Sequence, residues 1–192
     1  MPSTGLPPLD LSRFFEVHPR LETERLVLRE ITMADQVAIF EYASDPEATQ
    51  YMVFPTHRSV DETIPFIESC PRDFAARTRI EFGIVLKENG TLIGTCGMHH
   101  FAPDHHRLEI GYILNRSRWG KGYMTEAANE LIRFAFDEMG MHRVQATCDL
   151  DNERSARVME RCGMTHEATL TDYELRRGKF VSIKIYGIVK VV

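Results

Sequence analysis

Between Glu109 and Ala127 the chain reads EIGYILNRSRWGKGYMTEA, a strand-like run that ends in a glycine-punctuated turn and opens straight into a long amphipathic segment. Apolar residues then fall at 127, 128, 131, 132, 135, 136 and 139, the stripe of a helix with one buried face, and Gly140 ends it. A strand that hands its end to a helix start gathers free backbone N–H groups and the positive end of the helix dipole at one corner. Gly120 and Gly122 let backbone approach an anion with no Cβ in the way. The same residues also suit a tight turn whose glycines serve only packing. Two familiar phosphate loops fail here. A P-loop needs glycine where Asn115 stands and Ser or Thr where Gly122 stands, and a dinucleotide fingerprint needs glycine at Thr125.

The remaining sequence predicts short elements of both kinds. Arg25–Arg29 alternates polar and apolar as a strand does, and Thr32 caps a helix through about Tyr42 with Asp35 in its first turn. Ser59 and Glu62 read as a capping box for a second helix, which Pro65 and Pro71 should bend or break. Phe82–Leu86 and Thr91–Met98 flank Asn89-Gly90, a hairpin signal. Leu108–Leu114 and Val144–Cys148 are further strands, Asn152 to Cys162 is a helix closed by Gly163, and Tyr173–Leu175 with Phe180–Val189 form a last hairpin. The order predicts one mixed α/β (α+β) domain over residues 20–192. Its sheet of six to seven strands is mostly antiparallel and flanked by about four helices. Residues 1–19, with Pro2, Pro7, Pro8 and Pro19, read as an extended arm outside the core.

Bulk properties narrow the function. The 192 residues can bury a full core without staples, and the four cysteines include no C-x-x-C pair, which predicts reduced thiols in a cytoplasmic protein. A net charge of −5 argues against nucleic-acid binding, and no apolar run reaches the ~18 residues that span a bilayer. His99-His100 and His105-His106 bracket a turn, but neighbouring residues of a strand point to opposite faces, so no metal site is expected and the turn reads as a polar loop. Arg116, Arg118 and Lys121 suit either a solvated face or a phosphate, Cys148 a buried structural thiol, and Tyr173 and Phe180 core or pocket wall.

The block WGKGYMTEA, with EIGYIL before it and HRVQATCDLDNERSARVMERCGM after it, strongly resembles the GNAT acetyltransferases, in particular the RimJ/RimL-like branch. The resemblance runs from Leu21 to the final strand. It departs from the family turn at both ends, with Trp119 in the first place and Met124 where a small residue is usual. It implies acetyl-CoA as cosubstrate with no metal, and a turn formed by Trp119, Gly120, Lys121, Gly122, Tyr123, Met124 and Thr125 around the pyrophosphate. It also implies that the pantetheine arm pairs with the edge Tyr112-Ile113-Leu114 where that strand splays from Val144–Cys148. Asn152 and Ser155 match the family's Asn-x-x-Ser near the thioester. Ser155 is then the acid for the leaving thiolate, the Leu114 amide an oxyanion donor, and Glu109 and Glu174 the candidate bases. The acceptor is expected to be a protein N-terminal α-amino group or a small amine, held by the first two helices and the last hairpin, and a homodimer is common in the branch. An α-amino group with a pKa near 8 is about 10% neutral at pH 7 against ~0.04% for a lysine, so one carboxylate suffices for the former. The alternative is a non-catalytic acyl-CoA-binding protein of the same fold.

Overall fold

The computed structural model describes residues 6–191, so the start of the expected arm, Pro2 included, lies outside the described residues. Eight strands form one sheet: β1 Leu21–Glu22, β2 Leu26–Arg29, β3 Arg79–Leu86, β4 Leu92–Ala102, β5 Arg107–Leu114, β6 Arg143–Asp149, β7 Thr165–Arg176 and β8 Lys179–Val189. Their spatial order is β1-β2-β3-β4-β5-β6-β8-β7, antiparallel throughout except for β5 with β6. The helices are α1 Gln36–Ala43, α2 Ile64–Ala75, α3 Tyr123–Asp137 and α4 Glu153–Arg161.

Each face of the sheet has its own core. The residues of β2 to β6 that point one way, among them Leu26, Phe82, Met98, Leu108, Ile110 and Val144, pack on Ala127, Leu131 and Ala135 of α3 and Met159 of α4. Those pointing the other way, Val27, Val85 and Ile113, meet Ile39 and Tyr42 of α1 and Ile67 of α2. Alternation along each strand sends successive residues to different layers. On β5, Glu109, Gly111 and Ile113 therefore face the α1/α2 side, and Ile110, Tyr112 and Leu114 the α3/α4 side.

Four expectations need correction. The strand count is eight rather than six to seven, because two-residue β1 is too short to show a period. β7 starts at Thr165 rather than Tyr173, since most of this edge strand is exposed and carries no apolar alternation. Pro71 does not break α2; it is exposed near the helix end, where its ring costs one backbone hydrogen bond and not the helix. Ser59 makes no side-chain cap, and Glu62 accepts instead from the Arg58 amide at 2.9 Å.

The described part of the arm is also bound to the body. Ser12–Phe15 form a single 3-10 turn, Leu11 is buried, and the Phe14 ring meets Phe134 edge-on with centroids 5.6 Å apart. Prolines on both sides set the extended chain, while the apolar residues between them supply the anchor. No helix of the described residues is long and apolar enough to cross a membrane.

Candidate active site

β5 and β6 pair only at Arg107↔Arg143, Leu108↔Val144 and Glu109↔Gln145, and beyond that rung they diverge. On its other side β5 stays paired with β4 as far as Gly94↔Leu114. The Asn115 amide donates to Ile93 O at 2.8 Å, so Asn115 and Ile93 are the hydrogen-bonded partners and Gly94↔Leu114 is a non-hydrogen-bonded rung. Antiparallel rungs alternate, so the backbone groups of Leu114 and Tyr112 point away from β4, into the gap. Trp119 Nε1 donates to Leu114 O at 2.9 Å and fixes the strand end. The Tyr112 and Leu114 N–H groups remain at the gap without a strand partner among the described residues.

The turn after β5 closes onto α3. Gly122 is the N-cap of α3 at φ +80°, a left-handed conformation that suits glycine, and it offers no capping side chain. Glu126 N–H donates to Gly122 O at 3.0 Å, so the N–H groups of Tyr123, Met124 and Thr125 have no acceptor inside the helix. A Cβ on Gly120 would meet nothing within 4 Å, so the space over this corner is open. Arg25, the residue before β2, braces it, donating from Nη1 to Lys121 O at 3.0 Å and from Nε to Glu126 Oε2 at 2.6 Å.

α4 forms the opposite wall. Asn152 is its N-cap and accepts from the Ser155 amide at 3.1 Å, so Asn-x-x-Ser serves the helix start before any ligand. Ser155 Oγ lies 3.1 Å from the Tyr112 hydroxyl, which also donates to Ser155 O at 3.2 Å. Burial pushes the Tyr112 phenol well above its ordinary pKa.

These elements enclose a cleft of about 710 Å³. Ile113, Leu114, Trp119, Gly120, Gly122, Tyr123, Met124, Thr125, Asn152 and Ser155 all line it. Lys121 does not, and contributes only its carbonyl to the Arg25 brace. Arg116 is committed to Asp45 at 2.6 Å and Glu47 at 3.5 Å. Arg118, Arg157 and Arg161 line the cleft and make no ion pair among the described residues. The last two are an i, i+4 pair on α4 that sequence reasoning missed, although that spacing on a helix was its signal. Arg154 stacks on the Trp119 ring at 4.4 Å. Tyr112 also lines the cleft, as do Tyr51 and Met52 of the loop after α1, which carry no sequence signal of a cleft wall.

The two candidate bases lie outside that lining and differ from each other. Glu109 sits on the last β5–β6 rung, its side chain 12% exposed. Oε1 accepts from Thr147 Oγ1 at 3.1 Å and Oε2 from Gln145 Nε2 at 3.1 Å. It faces the α1/α2 side whereas Ser155 faces the α3/α4 side, so the two flank the gap from opposite faces. Glu174 pairs with Arg176 at 2.6 Å, and the same guanidinium holds Asp149 Oδ2 at 3.0 Å and Tyr51 O at 3.0 Å. Its charge is thus part of a brace between the last hairpin and the cleft loop. Tyr173 and Phe180, expected in core or wall, are 60% and 66% exposed, because the hairpin tip projects past the sheet.

The histidine pair also departs from expectation. His100 takes φ +50° at a bulge between the His99↔Glu109 and Ala102↔Arg107 rungs. The pleat is broken there, so the His99 and His100 rings lie on one side with centroids 4.6 Å apart. Burial lowers the His99 pKa to about 4, and its Nδ1 has no hydrogen-bond partner.

A ligand with a diphosphate and an extended amide arm fits this corner: unobstructed backbone donors at the α3 start, an unpaired strand edge at the gap, and free arginines at the mouth. Comparison with known proteins points the same way. Residues 25–165 match the family described as acetyltransferase (GNAT) domain. The uncharacterized N-acetyltransferase YoaA of Bacillus subtilis (strain 168) is 34% identical over 172 residues, 90% of this chain and 97% of its own length. The GNAT-family acetyltransferase structure from Bacillus anthracis has a TM-score of 0.79 at 29% identity, covering 89% of this chain and 98% of that one. RimL, a ribosomal L7/L12 α-N-protein acetyltransferase in complex with coenzyme A, shares the fold at a TM-score of 0.78 and 19% identity, over 89% of this chain and 98% of that chain.

Proposed function

The chain belongs to the GNAT acetyltransferase family, and from that premise we propose that it carries the acetyl group of acetyl-CoA directly to a protein N-terminal α-amino group, as in the RimJ/RimL-like branch. Acetyl-CoA supplies the activated thioester. The observation that carries the reading is the splay itself, where strand-edge N–H groups, the α3 N-terminus and Ser155 open into one cleft.

In this reading the N–H groups of Tyr123, Met124 and Thr125 hold the pyrophosphate, and Arg118, Arg157 and Arg161 offset the remaining phosphate charge. The Leu114 amide donates to the carbonyl oxygen as charge develops on it. Glu109, anchored by Thr147 and Gln145, takes the amine proton from the α1/α2 face, directly or through water. Ser155, oriented by Tyr112, gives a proton to the departing sulfur from the other face. Glu174 is assigned to bracing the acceptor wall. An acidic protein of charge −5 suits a basic acceptor such as a ribosomal protein.

The test is acetyl transfer, read by thiol release and peptide mass, over a panel of N-terminal peptides, lysine-only peptides with blocked termini, and polyamines. Peptides with a free α-amino group should be acetylated there. Glu109→Gln should lower kcat/KM by about 10²-fold at neutral pH, with acetyl-CoA affinity retained. Modification confined to lysines or polyamines refutes the acceptor class, and full activity in Glu109→Gln refutes the base.

A further inference from the structure

We propose that His99, His100 and Glu109 form a binding site for a divalent transition-metal ion of the zinc class, and that its occupancy shuts off acetyl transfer by engaging the Glu109 carboxylate. The second half rests on the reading of Glu109 as base; the binding site does not.

The site is built by register. His99 and Glu109 are direct cross-strand partners, so their side chains leave the same face of the sheet. His100 would ordinarily leave the opposite face, but the bulge and its φ of +50° return it to theirs. One ligand atom from each of the three residues lies within 4.8 Å of the others. Ligand atoms around a tetrahedral zinc stand about 3.3 Å apart. His100 Nδ1 already stands 3.4 Å from Glu109 Oε2, close to that spacing, and the His100 side chain is 76% exposed and gives an ion access from solvent.

The surroundings are those of a supported site. Gly111 leaves the floor under the His99 ring bare: a Cβ there would lie 3.3 Å from Nε2. His99 Nδ1 is buried and has no hydrogen-bond partner. Thr147 and Gln145 each hold the Glu109 carboxylate at 3.1 Å, the outer-sphere support that fixes a ligating carboxylate. Two imidazoles and one carboxylate favour zinc, cobalt, nickel or copper over magnesium or calcium, and they leave a fourth position for water.

Cobalt(II) is the probe, added to chelator-stripped protein and followed by its visible absorption, with zinc as competitor. Wild type should give a saturable one-to-one spectrum that zinc abolishes. His100→Asn tolerates the left-handed backbone and should weaken cobalt binding at least tenfold. The same variant should raise the zinc concentration that halves acetyl transfer by a similar factor, whereas His105→Ala in the adjacent turn should change neither. No cobalt spectrum in wild type, or equal binding by His100→Asn, overturns the site. Binding that leaves acetyl transfer untouched upholds the site and overturns both its inhibitory role and Glu109 as base.

Discussion

Two contacts join Ser155 and Tyr112, and their geometry assigns the two residues different work. The Tyr112 hydroxyl donates to Ser155 O at 3.2 Å and lies 3.1 Å from Ser155 Oγ, so it acts as a fixed strut. Both residues line the cleft, but the Ser155 O–H is the one not already committed to a backbone carbonyl. Ser155→Ala is therefore expected to lower kcat by about 10²-fold with the KM for acetyl-CoA within twofold. Tyr112→Phe should cost about tenfold, and the double variant no more than Ser155→Ala alone, since the strut acts only through the serine. Steady-state kinetics on the four proteins checks this; additive losses would mean that Tyr112 protonates the sulfur itself. Glu174 shows a residue-scale signal that the sequence already carried. On a strand, i and i+2 share a face, so Arg176 was bound to compete for the Glu174 carboxylate.

The α3 start keeps its N–H groups uncapped because Gly122 at the N-cap has no side chain to accept from them, and its left-handed backbone turns the chain into the helix. Alanine at φ +80° costs about 1 kcal/mol, and its Cβ would stand 3.4 Å from Arg25 Nη2, part of the brace. Coenzyme A at 100 times its Kd stabilises wild type by about 2.7 kcal/mol, which is ~5–10 °C in Tm for a chain of this size. Gly122→Ala should lose most of that ligand-induced shift while its own Tm falls by only a few degrees, as differential scanning fluorimetry would show. A full shift in the variant would remove this corner from the binding site. Elements with a strong period were legible, and this one most of all: α3 shows a clear stripe, and β5 and its glycine turn were read to within two residues. What stayed hidden lacked a period. β1 has two residues, the first half of β7 is a mostly exposed edge, and the side on which His100 lies depends on a positive φ at a residue with a Cβ. Strand alternation is a sound rule, and the bulge is the local event that suspends it.

Across the whole molecule, the sheet face toward α1 and α2 carries buried ionisable groups whose pH responses oppose each other. Glu81 lies against Gly97, its side chain 13% exposed, and burial raises its pKa to about 7 despite Arg79 and Thr95. Its folded pKa is above the unfolded value, so it contributes stability at low pH that is lost as pH rises through 7. His99 is shifted down to about 4, so its contribution is present above pH ~6.5 and is lost as pH falls toward 4. Between pH 5 and 8 each amounts to about 2–3 kcal/mol with opposite sign. Asp35 is pushed up by burial, but Arg29 at 2.6 Å and the Thr32 amide outweigh that and hold it below its ordinary value, so it acts only in more acidic solution. Urea unfolding of the wild type between pH 5 and 8 should accordingly show a weaker pH dependence than either group alone would give. Glu81→Gln removes one arm of the balance: relative to wild type it should gain stability at pH 8, and its own stability should fall by about 2 kcal/mol on going to pH 5 as the unfolded chain protonates His99. A flat profile in that variant would mean that His99 keeps an ordinary affinity for protons in the fold, in spite of its burial.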